Sequence, residues 1–419
     1  MSVFNILIRS SRNRPMAAIL GLGLGLALFS CPAWADRADR QILRQAFEKA
    51  GSLDPQAEAR IELLDEIIEA FASRHVDVRD PHLLSQKAAT VIAAKPMPAD
   101  DAFKEALTEL SHTLDPHTAY LSVAEWNDMQ VSVSGKFSGV GMELAMKDKM
   151  VVVVAPIDGS PAAQAGIQPE DRVLAVDGQT IEGLSLTQVV NRIRGPVGRK
   201  VALRLANSAG QEREVTIIRD LIRLHPVSGR LEGDVAIIRV SQFSGGVTAL
   251  LRNQVIDLQK QAAFGLKGMV LDLRRNPGGL LDEAVRMADL FLGDVPIVST
   301  KARNPDDDEH RSGHVGEILP GVPMVVLIDG GSASASEIVA GALKDHHRAI
   351  LVGQKSYGKG SVQVLEKLSE GGVRVTIARY FRPSDQPVDG IGITPDQEVA
   401  PAEGSDPQLE KALETVRKR

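Results

Sequence analysis

A cluster of serines, one lysine and one glutamine stand in surroundings that can turn a hydroxyl into a nucleophile. The apolar run ending at Ile328 leads into Asp329-Gly330-Gly331-Ser332-Ala333-Ser334-Ala335-Ser336-Glu337-Ile338. Small residues at such a strand-to-helix turn let a substrate approach the backbone closely. The helix N-terminus that follows offers unpaired N–H groups and a positive field to a developing oxyanion. A hydroxyl there still needs a base. No Gly-x-Ser-x-Gly elbow points to a hydrolase triad. The base candidate is Lys359, in Tyr357-Gly358-Lys359-Gly360-Ser361-Val362-Gln363. A lysine with its ordinary pKa of about 10.4 is protonated at neutral pH and accepts no proton. Burial beside a helix N-terminus penalises the charged form and lowers that value. Ser–Lys pairs are a known variant of triad logic. Gln363 is placed to hold the amine by hydrogen bonding. Fully extended, 359 and 363 lie ~13 Å apart, so the segment must bend, and Gly358 and Gly360 permit it. A serine in a Ser/Ala/Gly turn otherwise reads as a helix cap, a role open to Ser332 or Ser336.

Other chemistry is weaker. His346-His347 follow Asp345, but His346 lies twelve residues, ~18 Å, along the helix from Ser334, too far for a Ser-His-Asp triad. His310 and His314 have i,i+4 spacing in a polar loop without His-Glu-x-x-His, so no metal site is expected. Gly21-Leu22-Gly23-Leu24-Gly25 has no preceding strand and is no nucleotide loop. No cofactor is expected.

The elements that must position these residues alternate from Gly233 onward. Val235–Val240, Gly268–Leu273 and Pro323–Ile328 read as strands. Val247–Gln261, Gly279–Leu292 and a stretch from about Ser334 to Lys344 read as helices. This is the signature of an α/β core with buried strands. Lys301–Gly321 is polar and Asp-rich and reads as a surface loop, and Pro407–Arg419 as a short polar helix. Upstream, residues 37–113 read as helical, with Ile61, Leu64, Ile67, Ile68 and Phe71 at three- and four-residue spacing. Lys95-Pro96-Met97-Pro98 breaks that region before a helix carrying Phe103, Leu107 and Leu110.

Between these regions the pattern is that of a small β domain. Met150–Val154, Val201–Ala206 and Arg213–Ile218 read as strands, with one helix, Ser185–Arg194, stopped by Gly195-Pro196. Phe137-Ser138-Gly139-Val140-Gly141-Met142 precedes a strand. Such a loop can bind a terminal carboxylate, and the strand after it can pair with an extended peptide. With Gly159-Ser160-Pro161-Ala162-Ala163-Gln164-Ala165-Gly166-Ile167 and Asp171–Gly178, this ordered series resembles a circularly permuted bacterial PDZ domain. The resemblance implies that Val140, Gly141 and Met142 line the carboxylate end and that Val189, Val190 and Ile193 face the terminal side chain. Ser138 stands where such domains usually have glycine.

Over residues 114–396 the chain resembles the carboxyl-terminal processing peptidases, the tail-specific Ser/Lys proteases. Leu114-Asp115-Pro116-His117-Thr118-Ala119-Tyr120-Leu121, Leu271–Gly279, Gly331–Asp345, Gly358–Gln363, Thr376–Phe381 and Gly390–Asp396 match that family's segments in order. The resemblance implies Ser334 as nucleophile, Lys359 as general base and Gln363 as its orienting partner. It implies an oxyanion hole from the N–H of Ala335 and of Gly278, with Gly279 the alternative donor. It also implies a protease core of the Clp-protease/crotonase type and cleavage of flexible proteins near an apolar C-terminus held by the PDZ domain. The expected partners are protein or peptide substrates with apolar C-termini. An adaptor protein and a homodimer through the N-terminal helices stay open. The rival readings are a catalytically silent PDZ scaffold or chaperone, or an adaptor-dependent protease.

Composition bounds the rest. The chain has 419 residues, 43% hydrophobic and 24% charged, enough for two or three domains with real cores. A net charge of −6 without a long basic run argues against a nucleic-acid binder. Arg9, Arg12 and Arg14, the apolar run Met16–Phe29 and Ala33-Trp34-Ala35 read as a signal peptide cut before Asp36. Removing those three arginines takes the charge from −6 to −9. The only cysteine is Cys31, so the mature chain has neither disulfides nor a catalytic thiol. The expected layout is signal peptide 1–35, helical region 36–129, PDZ domain 130–218, peptidase core 219–400 and tail 401–419. The expected location is the bacterial periplasm. Lipidation at Cys31 and an uncleaved anchor are the lesser alternatives.

Overall fold

The computed structural model describes residues 4–7, 35–157 and 159–419. Most of the expected signal segment, Cys31 included, lies outside the described residues. The chain divides into two compact units, Ser134–His225 and the remainder.

In the larger unit, Val235–Val240, Gly268–Asp272, Met324–Ile328, Ile350–Gly353 and Gln397–Glu398 form a parallel sheet, extended at one edge by antiparallel Val227–Glu232. Parallel neighbours need crossover connections. Val247–Gln261, Leu281–Leu292 and Ala335–Asp345 supply them and cover one face. Pro407–Arg417 covers the other, packing Leu413 and Val416 on Val270, Val325 and Leu327. Strands buried on both faces are continuously apolar, which is why MVVLI over 324–328 is buried at every position. The Gly279–Leu292 expectation needs one correction. Gly278–Leu280 is extended and the helix begins at Leu281, because both glycines hold φ values (+97° and +147°) that no helix uses.

A strand of a second sheet begins two residues after Lys359. Ser361–Lys367 pairs antiparallel with Gly372–Phe381, and Ala119–Leu121 and Pro296–Ala302 flank the latter. Residues 301–321 are not simply loop. Glu309–Ser312 forms a hairpin strand against Pro296–Ala302, an edge strand whose polar, charged residues leave no hydrophobic pattern in the sequence. The guanidinium of Arg303 donates to the carbonyl oxygens of Ala72 (2.9 Å), Ser73 (3.3 Å) and Asp77 (3.2 Å), and also to that of His75, so this segment caps the end of the helix Ala57–Arg74.

Helices Ala57–Arg74, Pro81–Ile92 and Ala99–Thr113, with Leu43 and Phe47 of the preceding helix, share one core. Ile61, Leu64, Ile67, Ile68 and Phe71 are buried there, as their spacing requires, against Val373 and Val375 of the second sheet. The helical region is thus the backing on which the second sheet rests.

The smaller unit is an antiparallel sheet of Met142–Lys147, Met150–Pro156, Arg172–Val176, Lys200–Ala206 and Glu212–Ile218, with the helix Leu186–Ile193 packed on it. Ser185 and Gln188 close a reciprocal cap at the helix start, Gln188 Oε1 accepting the Ser185 N–H at 2.8 Å.

Candidate active site

Ser334 sits at the turn between Met324–Ile328 and the helix Ala335–Asp345. Its backbone is at φ +61°, ψ −117°, a conformation that costs a residue with a Cβ energy. The neighbouring serines have structural work. Ser332 Oγ donates to the Leu273 carbonyl at 2.8 Å, and Ser336 Oγ to that of Asn276 at 2.9 Å. Ser334 Oγ is buried and makes no hydrogen bond. Of the three hydroxyls, only that of Ser334 is held ready rather than used.

Lys359 is also fully buried, at the entry to Ser361–Lys367. Burial pulls its pKa down to about 7, the Arg374 charge pulls the same way, and Asp115, Glu337 and Asp389 oppose them. Ser334 and Lys359 meet on shared partners. Glu337 Oε2 accepts both backbone N–H groups, at 2.7 and 2.9 Å. Tyr380 Oη lies 3.1 Å from the Ser334 carbonyl and 2.5 Å from that of Lys359.

Gln363 is buried, its Nε2 donating to Ser361 Oγ at 2.8 Å and to Thr376 Oγ1 at 3.4 Å. Its Oε1 makes no hydrogen bond. Thr376 Oγ1 donates in turn to Asp115 Oδ1 at 3.2 Å. Asp115 also accepts from His75 Nε2 (2.8 Å), Thr118 Oγ1 (2.7 Å) and the His117 N–H (2.7 Å). Burial pushes its carboxyl up, but these bonds outweigh it and hold the group well below the usual carboxylate range.

The helix begins at Ala335, so its N–H is one of the four a helix leaves unpaired. The Gly278 expectation is corrected. Gly278 donates its N–H to Asn276 Oδ1 at 2.9 Å, and its carbonyl accepts from Phe243. Leu280 N–H likewise donates to Phe243. Along a strand the backbone groups of alternate residues face opposite ways, so Gly279 points away from Phe243, into the gap before Ser361–Lys367. Phe4–Leu7 fills that gap as a strand, parallel to Gly278–Leu280 and to Gln363–Val364.

In the smaller unit, Phe137, Val140, Gly141, Met142, Leu144, Val190, Ile193 and Arg194 line a cleft of about 150 Å³. Val189 does not join them. Val190, Ile193 and the extended C-cap residue Arg194 line the cleft, whereas Val189 is fully buried in the core. Gly141, at φ +79°, admits no side chain, since a Cβ there would lie 2.4 Å from Ser160 Cβ. Ser138 Oγ ties the loop to the Gly195 carbonyl.

Glu337, Tyr380, Asp115, Arg374 and Asn276 were not among the expected site residues. Ser-x-x-Glu over 334–337 is a capping-box pattern that could have pointed to Glu337. Tyr380 lies inside the matched segment Thr376–Phe381, but nothing there gave it a role.

Residues 234–399 match the model of peptidase family S41, and 152–207 that of a PDZ domain. The carboxy-terminal-processing protease of Bartonella bacilliformis is 42% identical over 297 residues, 70% of this chain and 68% of that one. The carboxyl-terminal-processing protease of Synechocystis sp. is 41% identical over 305 residues, 70% of each chain. Among solved structures, a photosystem II D1 C-terminal processing protease is similar at TM-score 0.51 and 28% identity, over 85% of this chain and 96% of that one. On these grounds the chain belongs to the carboxyl-terminal-processing proteases, serine-type peptidases of family S41.

Proposed function

We propose that the protein is an exported endopeptidase that cuts flexible proteins near apolar C-termini through a Ser334–Lys359 acyl-enzyme mechanism. The observation that carries this reading is an unengaged buried hydroxyl and a buried lysine, its pKa pulled down to about 7, whose backbones are held by the same Glu337 and Tyr380. Neutral Lys359 takes the Ser334 proton as Oγ attacks the scissile carbonyl. The Ala335 and Gly279 N–H groups receive the oxyanion. Lys359 then passes the proton to the leaving amine, and repeats the cycle with water to release the acyl group. Gln363 Oε1, buried and without a donor, is the acceptor that orients the amine. The substrate lies extended in the gap taken by Phe4–Leu7, where Gly278–Leu280 and Gln363–Val364 offer main-chain groups to any sequence. The PDZ cleft supplies selectivity for an apolar terminus. The signal-like segment 1–35 supports export to the periplasm.

The test is cleavage of an unfolded protein with an apolar C-terminus by residues 36–419, beside Ser334→Ala and Lys359→Ala. Cleavage by the parent and none by either variant is expected. Activity surviving in Lys359→Ala means the base lies elsewhere.

A further inference from the structure

Ser334 and Lys359 belong to different elements, a helix start and the approach to a strand of the other sheet. A proton passes between them only if those elements keep one register. We infer that Glu337 and Tyr380 are a positioning pair that clasps the nucleophile turn to the base segment, Glu337 gripping the N–H groups of Ser334 and Lys359 and Tyr380 their carbonyls. This rests on the Ser334–Lys359 reading.

The contacts account for every acceptor position. Glu337 Oε2 takes the N–H of Ser334 (2.7 Å) and of Lys359 (2.9 Å). Its Oε1 takes the hydroxyl of Ser356 (2.5 Å) and the N–H of Gly358 (2.7 Å). An ionised carboxylate is acceptor-only with room for four donors, and four donors face it. Burial pushes this carboxyl up, and the four bonds pull it only part of the way back, so it stays above the usual carboxylate value. Three of the partners are backbone N–H groups that cannot accept a proton, so the ionised form is the one the site fits. An amide in its place turns its NH2 toward two of the four donors, whichever way it is flipped. Tyr380, 1% exposed, reaches both carbonyls with one hydroxyl. The strained φ of +61° at Ser334 is therefore fixed at both ends of the residue.

Burying a carboxylate costs more than burying an amide, and Glu337 is fully buried. The charge has a use in the reaction. When Lys359 takes the serine proton it becomes a cation in a buried site, and a fixed anion nearby stabilises that state, as the triad aspartate does for its imidazolium. The groups bearing on Lys359 are Arg374 and His117 on the positive side and Asp115, Glu337 and Asp389 on the negative. Glu337 is itself faced by Tyr380 and Lys359.

The experiment is kcat and KM against pH, with melting temperatures, for the parent, Glu337→Gln and Tyr380→Phe. Ser334→Ala and Lys359→Ala run in the same assay. Glu337→Gln is expected to lose about 10²-fold in kcat with KM nearly unchanged, because neither group touches substrate. Its acid limb moves to lower pH, since Lys359 has lost an anion that favours its ammonium form. Tyr380→Phe is expected to lose about tenfold in kcat with the limb in place, since a neutral hydroxyl is removed. A purely structural role would lower the melting temperature without moving the limb. Glu337→Gln with parental kcat and limb overturns the inference. If that variant does not fold, Tyr380→Phe decides alone, and parental kcat there overturns it. Full activity in Ser334→Ala or Lys359→Ala overturns the dyad beneath it, which is a separate failure.

Discussion

Gly278 is the position where one methyl group should do the most damage for its size. A Cβ there lies 2.7 Å from the Ala333 carbonyl oxygen, 2.7 Å from Ser334 Cβ and 3.0 Å from Ala335 N. Carbon atoms rest about 3.5–4.0 Å apart, so in Gly278→Ala the Ser334 side chain must retreat by about 1 Å. The residue also sits at φ +97°, which costs an alanine ~1–3 kcal/mol. A misplacement of about 1 Å at the reacting atoms is worth about 10² in rate. The expected result is a kcat down about 10²-fold with KM little changed and a melting temperature a few degrees lower. Steady-state cleavage of a quenched peptide and a thermal melt read both. Gly330→Ala, two residues from Ser332, is the control, because a Cβ there has nothing within 4 Å. Gly278→Ala within about threefold of the parent would refute the close packing of the oxyanion strand on the nucleophile turn.

The pH profile follows from the base. Lys359 acts when neutral and titrates at about 7, so kcat/KM should fall about tenfold per pH unit below that point. A limb near the ordinary lysine value of about 10.4 would show that Lys359 is not desolvated. Asp115→Asn should destabilise the protein at neutral pH by ~1–3 kcal/mol. The depressed carboxyl stabilises the fold above its unfolded pKa, and that stabilisation fades as pH falls through the folded value. Urea melts at neutral and acid pH should therefore converge at the acid end, and equal stability at neutral pH would contradict the hydrogen-bond node. In the PDZ cleft, Val190→Asp should raise KM for a protein with an apolar C-terminus by about tenfold, the equivalent of about 1.4 kcal/mol of lost apolar contact. An unchanged KM would mean the cleft does not hold the terminus.

The reach of the sequence differs by element. Ile61, Leu64, Ile67, Ile68 and Phe71 are legible because a buried helix face leaves its period in the chain. The run Met324–Ile328 is equally plain, since a strand buried on both faces is apolar at every position. Glu309–Ser312 leaves no such trace, because an edge strand pairs through its backbone and needs no hydrophobic pattern. Val189 lies one helix position away from the cleft face, since two adjacent valines on an eight-residue helix fit either face until its packing is seen. Lys359 is legible as a base candidate in its glycine-flanked segment, whereas the choice of Ser334 among three neighbouring serines rests on the resemblance. What composition and spacing could not supply was the clasp between them. Tyr380 reaches the turn from 46 residues away, and such a contact exists only once the second sheet is folded against the first.

Whether Ser334 is the hydroxyl that Lys359 activates is decided by fluorophosphonate labelling followed by peptide mapping, for the parent and Lys359→Ala across pH. A single adduct on Ser334 is expected, forming faster as pH rises through about 7, with none in Lys359→Ala. An adduct on another serine, or labelling of Lys359→Ala at the parental rate, would contradict the dyad.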